Sequence, residues 1–353
     1  MSAVQDALAK LRKEGHNFGV PEKDQEFWST GNLLIDEATS GGIPKGRAVE
    51  IYGLPSSGKT TLALQTAVSV QESGRSVLFL DFERSFDKKY ARSLGLDIDA
   101  ESFIYFQPKS LEDGGDILRS LLDTGELGLV IVDSVARMTT RKELDAPTGT
   151  ITVADRAKML TQLNRQILNQ MADNDTTVIW LNHILDVIET GFMAGKGPKQ
   201  TTTPGGQSIK YYASMRLHCK QKNPVKTLDG SDPLENDIEI IVTKNKVGVP
   251  FRKVTVRNVF GEGLSQKVAV IDLLISSGAI AEGKQKWYTM ADVRILVASL
   301  ASGEKKWRRG DIEDLYDTDA AFRGTCISMA RDLVLGAVLE DTTKRDEEGD
   351  EIE

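Results

Sequence analysis

The stretch VEIYGLPSSGKTTLALQTA combines an apolar strand, a glycine-rich turn and a helix, in the order that proteins use to bind phosphate. Its turn has the pattern Gly53-x4-Gly58-Lys59-Thr60, in which successive backbone N–H groups can point at phosphate oxygens. Lys59 is expected to reach the β- and γ-phosphates, and the Thr60 hydroxyl to bind Mg²⁺. The predicted nucleotide-binding residues of this turn are Gly53, Leu54, Pro55, Ser56, Ser57, Gly58, Lys59, Thr60 and Thr61.

Acidic residues follow two of the apolar stretches of the sequence. Asp133 ends LGLVIVD, as expected of the carboxylate that helps Thr60 to hold Mg²⁺. Asp81 and Glu83 lie at and just past the end of SVLFLD. Because the carboxyl ends of parallel strands gather around one ligand crevice, these acids should lie near the phosphates. Glu83 is the candidate for activating water.

The elements that must position these residues alternate along the chain between strand and helix. Short apolar runs at 48–52, 76–81, 102–106, 127–133 and 176–182 are separated by helical patterns at 59–73, 87–94, 111–123 and 154–173. This alternation predicts an α/β fold with a mostly parallel central sheet covered by helices on both faces. Segments 208–219, 237–244 and 253–260 are expected to form an antiparallel extension. A short helix at 3–14 precedes the core, and a small α/β domain follows it.

Composition excludes several classes of protein. The 353 residues are 40% hydrophobic and 27% charged, which is typical of a globular protein. No signal-peptide core or apolar run of membrane-spanning length is found, so we expect no membrane association. Cys219 and Cys326 are far apart, which favours a reducing compartment without disulfides. Three dispersed histidines argue against a histidine metal site.

The negative charge is concentrated at one end of the chain. Residues 340–353 hold eight acids and two bases, a net −6 of the total −8, so the rest of the chain carries about −2. We expect this tail to be solvated and disordered. Because the remainder is close to neutral, the chain can still bind nucleic acid through clustered basic residues.

Several further stretches carry a family resemblance. STGNLLIDEATSGGIPKGRAVEIYGLPSSGKTTLALQ, DFERSFDKKYARSLGLD, VIVDSVA, TTTPGGQSIKYYASMRL, VTKNKVGVPF and FGEGL resemble, in this order, the ATPase core of RecA-family homologous recombinases. The resemblance covers about residues 29–265. It implies a RecA-type core that uses ATP and Mg²⁺, polymerises as a helical filament on single-stranded DNA, and exchanges strands with double-stranded DNA in recombination and repair.

The sequence patterns and the resemblance together predict an organisation and a cellular setting. Residues 1–30 would form an N-terminal polymerisation helix and linker, 31–265 the ATPase and DNA-binding core, 266–338 a small C-terminal domain, and 339–353 an acidic tail. The expected location is cytoplasmic and nucleoid-associated. Single-strand binding protein and loading factors are the further partners that such a filament implies.

Roles at the nucleotide carry over position by position. Glu83 matches the carboxylate that activates the attacking water, Asp87 and Tyr90 match residues that contact adenine, and Phe260 matches an aromatic on the other side of the base. Lys244 and Lys246 in KNK match lysines that reach the ATP of the neighbouring subunit. His183 stands where many members have a glutamine that senses the γ-phosphate, and histidine retains a hydrogen-bond donor.

The two DNA-binding loops of the family fall at about 142–156 and 186–206. The second is longer than usual in the family, so the resemblance does not decide which apolar residue inserts between bases. A third basic segment, GEKKWRRG at 303–310, is either a duplex-binding surface or a solvated turn. The candidate DNA-binding residues of the two loops and their flanks are Val153, Lys158, Arg165, Ile188, Phe192, Met193, Lys196, Lys199, Gly205 and Gly206.

Two other functions share this core. A ring-forming helicase or translocase has the same phosphate loop but normally uses an arginine from its neighbour, whereas KNK provides lysines. A recombination mediator that binds DNA without hydrolysing ATP is the other alternative. The presence of Lys59, Thr60, Glu83 and Asp133 argues against it.

Overall fold

A computed structural model describes residues 3–14, 24–147, 153–186, 201–224, 234–299 and 306–350. The strands are β1 (Phe27–Trp28), β2 (Ile43–Pro44), β3 (Ala48–Gly53), β4 (Ser76–Asp81), β5 (Phe103–Phe106), β6 (Leu127–Asp133), β7 (Thr177–His183), β8 (Leu185–Asp186), β9 (Thr201–Thr202), β10 (Met215–Pro224), β11 (Glu235–Asn245), β12 (Lys253–Val259), β13 (Gly263–Leu264), β14 (Ile280–Glu282) and β15 (Tyr288–Met290).

Helices account for most of the remaining ordered elements. They are α1 (Ala3–Lys13), α2 (Leu33–Ala38), α3 (Lys59–Glu72), α4 (Lys88–Ser93), α5 (Leu111–Leu122), α6 (Arg141–Asp145), α7 (Val153–Asp173), α8 (Gly206–Tyr212), α9 (Gln266–Ser276), α10 (Val293–Ser299), α11 (Arg309–Thr318) and α12 (Ala320–Asp350), with short 3-10 turns at Val135–Arg137 and Lys284–Lys286.

The central sheet confirms the predicted α/β class. Its strand order is β13-β12-β11-β10-β3-β7-β6-β4-β5. The strands from β10 through β5 run parallel, whereas β11, β12 and β13 extend the sheet with antiparallel pairs. The phosphate-loop strand β3 lies between β7 and β10, so the loop that follows it is flanked by the ends of two parallel strands.

Alternate residues of the strands pack into two separate cores. On β6, Leu129 and Ile131 face a core shared with α3, while Val130 and Val132 face a core shared with α5 and α7. Because both faces of the sheet are covered, the strands have nearly continuous apolar sequences. This explains why the strand positions predicted from the apolar runs agree closely with the observed strands.

The C-terminal segment has a core of its own. Residues from Val270 to Val334 surround Trp307 and Phe322, and Leu33 of α2 is the member contributed by the N-terminal part of the chain. The predicted boundaries of the four domains stay predictions, although this cluster begins close to the expected boundary at 266.

Two expectations differ from the structure. Residues 206–212 form α8 rather than the beginning of a strand, because Ile209 is buried against the second core and its carbonyl accepts the Ala213 amide in helical geometry. The last helix continues to Asp350, through a stretch that was expected to be disordered and in which three glutamates, one lysine and one arginine favour helix. Within the described ranges, no helix is both long and apolar enough to cross a membrane.

Candidate nucleotide-binding site

The phosphate loop has a backbone that only glycine allows at two positions. A Cβ on Gly53 would lie 2.2 Å from the Cys219 carbonyl oxygen and 2.5 Å from Ser57 Oγ. Gly58 begins α3 with a φ of 83°, and a Cβ there would lie 2.4 Å from Ile238 Cδ1. The loop is therefore fixed in its curled form by close contacts with β10 and β11.

The interior of this loop fits a triphosphate and a divalent cation. Ser57 Oγ is buried and has no hydrogen-bond partner among the described residues, as expected of a group that binds a ligand. Lys59 is only 7% exposed, and its Nζ donates to the Leu54 carbonyl at 2.8 Å. Burial lowers the pKa of Lys59, and nearby acids, including Asp133, partly oppose that shift.

The predicted pair of cation-binding residues is in contact. Thr60 Oγ1 donates to Asp133 Oδ2 at 3.1 Å, across the gap between α3 and the end of β6. Burial raises the pKa of Asp133 to about 7, and the carboxylate of Glu83 adds to the shift. A buried carboxylate whose negative charge is disfavoured in the free protein is well suited to bind a cation.

The two oxygens of the Glu83 carboxylate differ in their hydrogen bonding to the described residues. Ser134 Oγ donates to Glu83 Oε2 at 2.8 Å, and His183 Nε2 lies 3.3 Å from the same oxygen. In the described part of the chain, Oε1 of Glu83 accepts no hydrogen bond. Ser134 and His183 therefore orient the carboxylate while leaving one oxygen to accept a proton from water.

Asp81 lies two residues before Glu83 but has a different role. It is fully buried, its Oδ1 accepts the Arg84 amide at 2.6 Å, and its Oδ2 accepts the Tyr105 hydroxyl at 2.8 Å. These bonds hold the turn that carries Glu83. Asp81 and Asp133 are also register partners on β4 and β6, which brings both strand ends to one edge of the sheet.

The predicted base-binding residues lie beside α3. Asp87 is the N-cap of α4, where its Oδ1 accepts the amides of Lys89 and Tyr90. The Tyr90 hydroxyl and Thr61 Oγ1 are 2.8 Å apart, which fastens α4 to the phosphate-loop helix. Phe260 is 49% exposed in the turn between β12 and β13. Adenine contact by these three residues stays a prediction.

The two lysines of KNK differ in their surroundings. Lys244 Nζ donates to the carbonyls of Lys210 and Tyr211 at 2.8 and 3.1 Å, so it caps the C-terminal end of α8. Burial lowers the pKa of Lys244, with repulsion from Lys246 and Arg216 as further causes. Lys246 is exposed. The hydrogen bonds of the Lys244 ammonium group therefore go to α8 and not to the phosphate loop of its own chain.

The candidate DNA-binding residues are only partly described. Lys158 and Arg165 are exposed on α7, and Arg165 Nε donates to the Tyr212 hydroxyl at 3.0 Å. Gly205 and Gly206 lie at the beginning of α8. The pairing of Leu185 with Thr202 joins β8 and β9 and brings the two ends of the second loop together. Outside the described residues, or described without their side chains, are Val153, Ile188, Phe192, Met193, Lys196 and Lys199.

The basic segment near the C-terminal end is not a uniformly exposed cationic surface. Trp307 is 2% exposed inside the small core. Arg309 pairs with Asp272 and Glu313, and Arg308 stacks on the ring of Trp287 at 4.0 Å. Lys306 is exposed, and Lys305 is outside the described residues. The packing of Trp307 therefore explains much of this motif without DNA.

A buried polar chain connects the nucleotide site to α8, and sequence reasoning missed most of it. Asn182 Nδ2 donates to Glu50 Oε1 and to the Pro204 carbonyl, both at 2.9 Å. Arg216 Nε donates to Glu50 Oε2 at 2.6 Å. The sequence did contain a signal for this chain, since Glu50 lies in the middle of the apolar strand VEIY. A fully buried glutamate requires hydrogen-bond partners, so partners for Glu50 could have been predicted. Ser134 was missed as well, although a hydroxyl follows Asp133 directly.

Known proteins resemble this chain over most of its length. The family model described as the RecA N-terminal domain matches residues 9–265. Protein RecA of Ruminococcus albus is 35% identical over 299 residues, which covers 83% of this chain and 73% of that protein. Protein RecA of Mesomycoplasma hyopneumoniae strain J is 36% identical over 294 residues, covering 81% and 84%. The crystal structure of the RadB recombinase matches 67% of this chain and 98% of its own, with 22% identity and a TM-score of 0.49.

Proposed function

The chain belongs to the RecA family of DNA recombinases, and from this premise we propose that it hydrolyses ATP in response to DNA while pairing and exchanging homologous strands. The proposed active form is a helical filament on single-stranded DNA, with double-stranded DNA as its second substrate. The observation that carries the proposal is the assembly of Lys59, Thr60, Asp133 and Glu83 at one edge of the sheet.

The nucleotide would lie on the phosphate loop. Lys59 would leave the Leu54 carbonyl and bind the β- and γ-phosphates, because a phosphate is a stronger partner for an ammonium group than a neutral carbonyl. Thr60 and Asp133 would hold Mg²⁺, which supplies positive charge to the phosphates. Asp87, Tyr90 and Phe260 would bind the adenine base.

Glu83 would act as the general base. Its Oε1 would take a proton from the water that attacks the γ-phosphate, while Ser134 and His183 keep Oε2 in place. His183 lies at the end of β7, in register with Gly53 of the phosphate loop. We propose that His183 also responds to the γ-phosphate, because its ring is within reach of Glu83 and it lies three residues before the second DNA loop.

The neighbouring subunit would complete the site. Lys246 is exposed, and the ammonium group of Lys244 on β11 lies against the C-terminal end of α8, so a filament contact could bring both ammonium groups to the next subunit's ATP. Cations supplied by a neighbour stabilise the charge that develops on the transferred phosphoryl group. The same contact would make the stability of the filament depend on the bound nucleotide.

DNA would bind through its backbone on the side of α7 and α8. Lys158, Arg165 and the amides near Gly205 and Gly206 are suited to phosphate, which gives affinity without sequence preference. Base pairing between strands would then decide homology. Location with the nucleoid in the cytoplasm, and cooperation with single-strand binding protein and loading factors, stay predictions.

The test is the rate of ATP hydrolysis with and without single-stranded DNA. We expect strong stimulation by DNA in the native protein. Glu83→Gln should retain ATP binding and filaments in electron microscopy while losing hydrolysis, and Lys59→Ala should lose both. A rate that does not respond to single-stranded DNA would contradict the proposal.

The same experiments separate the alternatives. Closed rings rather than filaments in electron microscopy would favour a ring-forming helicase or translocase. Absence of hydrolysis in a single-turnover assay, with DNA binding intact, would favour a non-hydrolysing mediator. The lysines of KNK and the complete set of phosphate-site residues favour the recombinase.

A further inference from the structure

Gln65 makes a two-way contact that the phosphate chemistry does not require. It lies on α3, and both ends of its side-chain amide bond to Leu264. Oε1 accepts the Leu264 amide at 2.9 Å, and Nε2 donates to the Leu264 carbonyl at 3.1 Å. The turn before β13 packs closely here, since a Cβ on Gly263 would lie 2.5 Å from Leu94 Cδ2 and 3.1 Å from Gln65 Oε1.

The Gln65–Leu264 contact lies on the same face of α3 as the Thr61–Tyr90 contact, which fastens α4 to α3. Thr61 and Gln65 are four residues apart and so share a face of α3, and Tyr90 and Leu94 are related in the same way at α4. Thr61 bonds to the Tyr90 hydroxyl, and Gln65 bonds to the turn that Leu94 contacts. The segments that carry Tyr90 and Phe260 are thus fastened to one face of the phosphate-loop helix.

The turn has further anchors on its other side. Asn32 Nδ2 donates to the Ser265 carbonyl at 3.2 Å, and the Leu33 amide donates to Gln266 Oε1 at 3.0 Å. The register of β12 with β13 adds backbone pairing at Leu264. Removing the Gln65 amide should therefore leave the turn folded, while its position relative to α3 becomes less defined.

We propose that Gln65 is a positioning residue for the base of the nucleotide. By fixing the turn that begins at Phe260 against α3, it sets the width of the slot between Phe260 and Tyr90. A slot of fixed width favours a base that fills it on both faces, so Gln65 contributes to the preference for a purine over a pyrimidine triphosphate. The inference rests on the proposed function, because it assumes that adenine binds between these rings.

Gln71 provides a matched control on the same helix. Its Oε1 accepts the Asp97 amide at 3.1 Å and its Nε2 donates to the Asp97 carbonyl at 3.0 Å. This is the same two-way amide contact, but it holds the turn after α4 instead of the turn that carries Phe260. Loss of the Gln71 amide should disturb α3 to a similar extent without changing the base slot.

The experiment compares full-length Gln65→Met, Gln65→Glu and Gln71→Met with the native protein. KM and kcat are measured for ATP and UTP with single-stranded DNA present, and inorganic triphosphate is used as a competitive inhibitor that lacks a base. Because two hydrogen bonds are lost, we expect Gln65→Met to raise KM for ATP about tenfold, with kcat within about twofold. The preference for ATP over UTP should fall by a similar factor.

The other readouts separate positioning from general damage. Gln65→Glu retains the acceptor for the Leu264 amide but turns a carboxylate oxygen toward the Leu264 carbonyl, so its preference for ATP should fall at least as far as in Gln65→Met. Inhibition by inorganic triphosphate should be unchanged in every variant, and Gln71→Met should keep the native preference for ATP. Calorimetric binding of ADP and UDP gives the same comparison without turnover.

Three results would overturn the inference. They are an unchanged ATP preference in Gln65→Met, an equal loss of preference in Gln71→Met, and a parallel loss of inhibition by inorganic triphosphate, which would place the effect on the phosphate loop. Failure of the proposed function would look different, because the native protein itself would then bind no nucleotide or hydrolyse none.

Discussion

The proposed nucleotide site and the proposed DNA-facing side of the molecule are built in opposite ways. Around the phosphate loop, Lys59 and Asp133 are 7% and 5% exposed, and their polar atoms bond to groups of the same chain. On the DNA-facing side, Lys158 and Arg165 are exposed on α7. A triphosphate has one shape, so groups that are already in place bind it more tightly. DNA of any sequence is bound through the charge of its phosphates. The difference teaches that stability and function should respond to mutation differently on the two sides.

The largest effect is expected where the two regions are joined. Glu50 is fully buried between Asn182 and Arg216, whose side chain is 16% exposed. Glu50→Ala would leave the Arg216 charge and the Asn182 amide without this partner, so we expect a loss of about 3–5 kcal/mol in the free energy of unfolding. Urea denaturation measures it. Stimulation of ATP hydrolysis by DNA should also fall, because Asn182 holds the Pro204 carbonyl at the end of the second loop.

An exposed ion pair on the same sheet is the control for Glu50. Glu239 and Lys222 pair at 3.0 Å, with side chains 23% and 48% exposed. Glu239→Ala should change the unfolding free energy by no more than about 1 kcal/mol. If the two substitutions cost the same, the Glu50 link is not the structural connection described above.

The second prediction concerns Asp133 in the nucleotide site, where we expect a substitution to raise the free energy of unfolding instead of lowering it. Burial raises the pKa of Asp133 to about 7, above its ordinary value near 4 in the unfolded chain. A raised carboxyl pKa contributes stability below pH 4 that is lost as the pH rises through 7. Asp133→Asn removes this loss, so we expect the nucleotide-free variant at pH 8 to be more stable by on the order of 4 kcal/mol. It should not hydrolyse ATP.

Thermal or urea unfolding at pH 5.5 and pH 8 checks the Asp133 prediction. The native protein should lose stability between these values more steeply than Asp133→Asn. Equal slopes, or a less stable variant at pH 8, would mean that the site is not strained by its buried carboxylate. The nucleotide site would then not be arranged for function at the cost of stability.

More of the nucleotide site than of its connection to α8 could be predicted from the sequence, and the reason is physical. The phosphate loop, Asp133 and Glu83 are local motifs, and the sheet follows from apolar strands covered on both faces. Ser134, Glu50 and Arg216 gain their roles from neighbours distant in sequence, such as the contact of Arg216 with Glu50 across β3 and β10. The helical form of 206–212 was missed because Ile209 is buried by tertiary packing, which a short polar segment does not reveal.

A third effect tests how Glu83 is oriented. Ser134→Ala removes the hydroxyl that donates to Glu83 Oε2, in a residue that is fully buried. A hydrogen bond to a charged group contributes about 1.5–3 kcal/mol, so kcat should fall by about ten- to a hundredfold while KM for ATP stays near its native value. Ser120→Ala, on the surface of α5, is the control and should leave kcat unchanged. A Ser134→Ala enzyme with native kcat would show that His183 alone orients Glu83.

The smallest effect is expected on the proposed DNA-facing side, at one exposed lysine. Lys158 is exposed on α7, and Lys158→Ala should leave the unfolding free energy within about 0.5 kcal/mol of the native value. Affinity for single-stranded DNA should fall a few-fold for every sequence, and the slope of log K against log salt should decrease by about 0.7 for one lost phosphate contact. Lys109→Ala, an exposed lysine before α5, should change neither quantity. A sequence-dependent loss would indicate that Lys158 contacts bases, and the contrast between a preorganised nucleotide site and a purely electrostatic DNA surface would then need revision.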